Sequence, residues 1–185
     1  MWSFAVADIT LSSRTIIRPY TGDFFSTPTF TSDASTCAST ATIKVGQVVQ
    51  FDIVSETASH RLVRASTAAG HPNLSTNIAG IAAASDATDG STLSANGARP
   101  LTIWPATPGK RFLFPTKIAG TASTLIGTGL ALGYDSTLAI HYLAANSTAG
   151  DQRVRITDVI NPGDTNGLVV GYFYSTAVSP TVAPR

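Results

Sequence analysis

Glutamate is nearly absent from this chain: Glu56 is the only one in 185 residues. Charged residues make up 12% of the chain, against roughly 25% in an average soluble protein. Long amphipathic helices are therefore not expected, and the remaining mix of Ser, Thr, β-branched and aromatic residues suits strands and turns. Cysteine is reduced to Cys37, so no intrachain disulfide can form and the fold must rest on its core. The formal net charge is +1, which provides no basic field to gather phosphates, and nucleic acid is not an expected partner. No apolar run approaches the roughly 18 residues a bilayer span requires. Residues 78–84 come nearest and are interrupted by Gly80, so no membrane partner is expected. The opening Met1-Trp2-Ser3-Phe4-Ala5-Val6-Ala7-Asp8 has neither the basic region nor the sustained apolar core of a secretory signal. So small a net charge also gives little self-repulsion in solution, which suits a subunit held in an assembly better than a free monomer.

Catalytic motifs are missing too. There is no Gly-x-Ser-x-Gly elbow and no Cys pair for zinc, and Gly127, Gly129 and Gly133 have the wrong spacing for a dinucleotide loop. His60, His71 and His141 fall on separate expected elements, without the His-x-x-x-His spacing that puts two ligands on one face. The Asp86/Asp89/Gly90 loop lacks the alternating oxygen ligands and closing Glu of a helical calcium hand, and reads as a turn. No cofactor, metal or catalytic residue is assigned, and the chain is not expected to be an enzyme.

What is present is a series of short apolar runs separated by turn residues. Val48, Phe51, Ile53 and Val54, then Arg61, Leu62, Val63 and Arg64, predict a hairpin-like pair of strands. Residues 77–84 predict a tightly packed strand in which Gly80 allows close approach of a neighbouring backbone. A polar loop follows, and Leu101, Ile103 and Trp104 form a strand that Pro105 ends. Residues 108–115 read as a turn and a strand closed by Pro115. Further strands are predicted over 127–134, 136–142, 153–160 and, most strongly, 168–174. Strands at intervals of roughly 8–12 residues describe an all-β barrel or sandwich.

Residues 1–41 differ from the rest, with large apolar groups scattered among Ser, Thr, Pro and Asp without a sustained period. Trp2, Phe4, Ile16, Ile17, Tyr20, Phe24, Phe25 and Phe30 are too many for a solvated tail, since leaving each exposed forfeits roughly 1.5–3 kcal/mol. Two readings stay open: they pack on their own domain, or part of this arm lies on a neighbouring subunit as a protein-binding element. The expected organisation is an extended N-terminal arm over 1–41, a barrel or sandwich over 42–175 and a Pro-containing tail over 176–185. On the second reading, deleting residues 1–40 leaves a soluble body that no longer binds its partner.

The central stretch carries a family likeness. Ile78-Ala79-Gly80-Ile81-Ala82-Ala83, a Gly-bearing loop, then Pro100-Leu101-Thr102-Ile103-Trp104-Pro105-Ala106 and Pro108-Gly109-Lys110-Arg111-Phe112 resemble the capsid decoration (cement) proteins of tailed bacteriophages. In these, a strand ending in a Gly-Ile-Ala step precedes a polar loop and a Pro-x-x-x-Trp-Pro-Ala segment. Ile43-Lys44-Val45-Gly46-Gln47-Val48-Val49 and the closing stretch from Arg155 to Asp164 with 167–174 are further points of similarity, so that the resemblance covers about residues 42–175. It implies a small β-barrel-like body on the exterior of the virion, assembled in the host cytoplasm. It also implies binding to the major capsid protein lattice, homo-oligomers around local symmetry axes with a trimer favoured, and no cofactor. The alternative is a phage fibre-type or carbohydrate-binding module using Trp104, Tyr134 or Tyr142 as an aromatic platform.

Overall fold

A computed structural model of the chain describes residues 11–12, 16–20, 29–31, 43–51, 62–64, 78–83, 100–118, 121–145, 152–160 and 162–174; at 29–31, 51, 62–64 and 100–102 it describes the backbone. The described residues form eleven strands and one 3-10 turn, Ser123–Leu125, with no α-helix. The strands are β1 (Arg18–Pro19), β2 (Thr29–Thr31), β3 (Val48–Phe51), β4 (Leu62–Arg64), β5 (Ile78–Ala82), β6 (Pro100–Pro105), β7 (Phe112–Lys117), β8 (Gly129–Asp135), β9 (Ile140–Ala144), β10 (Gln152–Val159) and β11 (Leu168–Phe173).

The carboxy-terminal strands close into a five-stranded barrel. The order β7-β11-β10-β8-β9 is antiparallel throughout, and β9 returns to β7 in parallel through Thr116↔Leu143 and Lys117↔Ala144. Closure removes the free edges that an open sheet of this size would expose. Pro115 does not end its strand as the sequence reading expects. It lies inside β7, opposite Leu168. The Thr116 amide donates to Gly167 on the β11 side, so in the alternating backbone the Pro115 nitrogen faces the opposite edge. That edge is shared: β1 pairs with Phe112 and Leu113, and β9 begins at Thr116. Pro115 sits at the handover, where its missing N–H costs no ladder bond.

The barrel core is aromatic at its centre. Phe112, Phe114 and Phe173 meet edge to face, with centroids 5.5–6.1 Å apart, the geometry that the ring quadrupole favours. Leu130, Leu143, Val154, Ile156 and Val169 of the barrel strands belong to the same cluster.

The remaining strands form a second sheet, β2-β6-β5-β3-β4. The expected hairpin-like pair is β3 and β4, antiparallel through Val49↔Arg64 and Phe51↔Leu62. Val48, Ile78 and Ile81 of this sheet join the barrel cluster, while Val49, Ala79, Ala82 and Ile103 turn the other way into a smaller one with Ile43. Alternation along β3, and along β5 with a register shift between Ile78 and Gly80 opposite Gln50 and Val49, gives the sheet two apolar faces, one of them laid on the barrel. Polar side chains pin this junction. The His141 Nδ1 accepts the Val48 amide at 3.1 Å, so that nitrogen carries no proton and the ring is held by a backbone donor from the other sheet. Gln47 donates from Nε2 to the Ala139 carbonyl at 2.7 Å, and its Oε1 accepts the Lys44 amide at 3.0 Å. Burial of His141 and Gln47 is tolerated because these atoms are matched.

Candidate functional site

The N-terminal segment is the first place to look for a docking surface, and its described part is engaged by its own body. Ile17 is 0% exposed within the main core cluster. Ile16 lies so close over Gly46, at φ +81°, that a Cβ on residue 46 would overlap it. Arg18 and Pro19 extend the β7 edge through Arg18↔Leu113 and Pro19↔Phe112. Pro is admissible there because β1 is an edge strand. The Tyr20 amide donates to the Arg111 carbonyl at 3.0 Å, and the Arg111 guanidinium stands 5.1 Å from the Tyr20 ring centroid, a cation–π contact. Phe30 enters β2 opposite Leu101 of β6. Trp2, Phe4, Phe24 and Phe25 lie outside the described residues.

Within residues 1–41, β1 pairs with the barrel sheet and β2 with the second sheet. Of the two readings open for this segment, Ile17 follows the first and packs in the core of its own domain. The physical reason is direct, since a side chain wholly buried in its own core has no surface left to offer a partner.

The two halves of the central resemblance, separated by a long loop in sequence, are adjacent strands. β5 and β6 pair antiparallel through Gly80↔Pro105, Ile81↔Trp104 and Ala82↔Ile103, and the Ala106 amide continues the pairing to the Ala79 carbonyl at 3.0 Å. Gly80 is what allows it, because a Cβ there would overlap the Trp104 carbonyl oxygen. Strands β2 and β4 bound this sheet. Among the described residues, each has one edge without a strand partner.

The three aromatics of the alternative reading do not share a surface. Trp104 packs against the core cluster. Tyr134 stacks on His141, centroids 4.9 Å apart. Tyr142 covers Gly133, where a Cβ would collide with its ring, and its ring also holds Lys117 Nζ at 5.3 Å from the centroid. Tyr142 is thus occupied as a cover for a glycine in the neighbouring strand.

Next to it, the β8–β9 hairpin is closed by Asp135, whose Oδ1 accepts the Leu138 and Thr137 amides at 2.9 and 3.0 Å, an Asx-type turn. Asp135 Oδ2 also pairs with Lys117 Nζ at 3.6 Å. The Leu138 amide foremost, with the Thr137 amide and Lys117, holds the Asp135 carboxyl below its ordinary value of 3.8. A carboxylate so lowered contributes stability that is present above the unfolded value and lost as pH falls through the folded one. Asp135→Asn is accordingly expected to lower the thermal midpoint at pH 7. That difference should shrink toward zero as the pH of the melt drops through and below 3.8.

Of the three histidines, only His141 falls in the described residues, and there it serves the sheet–barrel junction. Among the described residues, no group of three or more His, Cys, Asp or Glu side chains comes together. Cys37, Asp86 and Asp89 lie outside them. Comparison of the chain with protein-family models and with curated proteins returns no match. Sequence reasoning did not single out His141 and Gln47 as a joint. Their nearest signal was a polar side chain within each of two otherwise apolar strand segments.

Proposed function

We propose that this chain is a structural subunit of a virion, a decoration protein on the exterior of a tailed-phage capsid. In this role it binds the major capsid protein lattice and bridges neighbouring capsomers. The observation that carries this reading is the pairing of the resemblance segments as β5 and β6 at the centre of a sheet whose outer strands each keep one unpaired edge among the described residues. An edge of this kind accepts a strand from a neighbouring protein, with main-chain hydrogen bonds providing affinity and alternate side chains specificity.

The mechanism is mass action. A subunit that binds only the assembled lattice stabilises it, and contacts made together on two capsomers multiply through effective concentration. A homo-oligomer, with a trimer favoured, extends the same advantage. The formal charge of +1 gives no long-range repulsion between crowded copies. Candidate side chains to grip a neighbour from the N-terminal segment include Trp2, Phe4, Phe24 and Phe25.

Co-sedimentation of the full chain with purified capsids lacking it tests the reading. Saturable binding is expected for the wild type. Replacing Trp2, Phe4, Phe24 and Phe25 together by Ser is expected to weaken binding by tenfold or more, about 1.4 kcal/mol. Undiminished binding of the variant would remove the arm from the mechanism, and failure of the wild type to bind would remove the capsid.

A further inference from the structure

The loop between β10 and β11 folds back onto the segment between β7 and the 3-10 turn through a set of hydrogen bonds. The Gly163 amide donates to the Thr121 carbonyl, the Thr121 amide to the Asp164 carbonyl and the Asn166 amide to the Ile118 carbonyl. The Gly167 amide donates to Thr121 Oγ1 at 2.9 Å, and Thr116 Oγ1 donates to the Gly167 carbonyl at 2.8 Å. The two hydroxyl oxygens lie 3.1 Å apart. Each hydroxyl has a single proton. Thr116 spends its proton on Gly167, so the bond between the hydroxyls is donated by Thr121. Neither hydroxyl has a proton left for any other acceptor.

Asp164 sits in this lock only 3% exposed, and its Oδ2 is buried with no hydrogen-bond partner among the described residues. An ionised carboxylate is acceptor-only, and burying one without a partner is strongly unfavourable. Around it, the amides of Thr121, Gly163, Asn166 and Gly167 and both threonine hydroxyls are committed elsewhere. With these donors committed to other acceptors, the buried Oδ2 has none of them to draw on, and a carboxylate oxygen beside the carbonyl and hydroxyl oxygens of this turn is the kind of ligand a hard cation takes up.

We propose that Asp164 is the charged ligand of a cation site in the turn over residues 162–167, selective for a hard divalent ion such as calcium. The site ties the β10–β11 connection to the barrel wall at Thr116 and Thr121. With one carboxylate its affinity falls among weak calcium sites, Kd about 10⁻⁴–10⁻³ M. Occupancy would thus follow the divalent-ion concentration outside cells. The inference is independent of the capsid reading.

The test uses the full chain stripped with EDTA and titrated with CaCl2, with NaCl at matched ionic strength as control. At about tenfold excess over Kd the melting midpoint is expected to rise by roughly 3–6 °C. In amide NMR spectra the resonances of Thr121, Gly163 and Gly167 are expected to shift along one saturable curve. Asp164→Asn is expected to abolish both responses. The proposal is overturned if calcium acts no differently from NaCl, if the shifts fall away from this turn, or if Asp164→Asn keeps the response. Should that variant fail to fold, the wild-type spectra decide alone, because they locate the ion without a substitution.

Discussion

A chain lacking residues 1–40 will not give a folded, soluble body: circular dichroism and one-dimensional NMR of the truncated protein are expected to show a loss of fixed tertiary structure. The truncation removes Ile17 from the main core and strips β1 from the β7 edge and β2 from the β6 edge. Ile17→Ala alone is expected to cost about 3 kcal/mol by the usual penalty for emptying a closed core site, and a domain of this size holds only about 5–15 kcal/mol in reserve. The lost edge pairing of β1 and β2 adds to that cost. A truncated chain that melts cooperatively within a few degrees of the full protein would show that the N-terminal strands are dispensable. The outcome also bears on design, because shortening the chain cannot test the docking role of Trp2, Phe4, Phe24 and Phe25; those side chains have to be changed within the intact protein.

Gly80→Val is expected to be the most damaging single substitution in the second sheet, on the order of 3 kcal/mol or more, because the new side chain meets backbone and not a movable side chain. Its Cβ would overlap the Trp104 carbonyl oxygen and press on Pro105, so β5 and β6 must part or shift register. Gly109 supplies the contrast. It has φ +83° and nothing within 4 Å of where a Cβ would stand, so Gly109→Ala carries only the backbone strain of a left-handed residue, about 1 kcal/mol. Denaturant midpoints of the two variants, measured side by side, separate close approach from conformational strain. Equal losses would mean that the β5–β6 contact is not what Gly80 provides.

The all-β character of the fold was legible because it rests on local signals. β11 follows a turn-forming Asn166-Gly167 and is a run of aliphatic and aromatic residues interrupted only by Gly171, and β5 carries its own explanation in Gly80. What stayed hidden depends on partners far away in sequence. The two residues of β1 have no period of their own; only Leu113 and Phe112 across the pairing make them a strand. Pro115 reads as a stop until the edge it faces is known to change hands between β1 and β9. The parallel β7–β9 pairing that closes the barrel has no local signature at all. Asp164 reads as an ordinary turn residue from Asn161-Pro162-Gly163-Asp164, and only burial reveals that its Oδ2 lacks a donor. His141, one of three scattered histidines in the sequence, becomes a joint between two sheets through an amide 93 residues away.

The capsid reading depends on where the chain sits on a particle, and cryo-electron microscopy of heads with and without the protein locates it directly. The expected difference map shows density on the capsid exterior that fits the barrel and second sheet, repeats around local symmetry axes and spans the boundaries between capsomers. Identical maps, or density confined to the tail or the interior, would contradict the account.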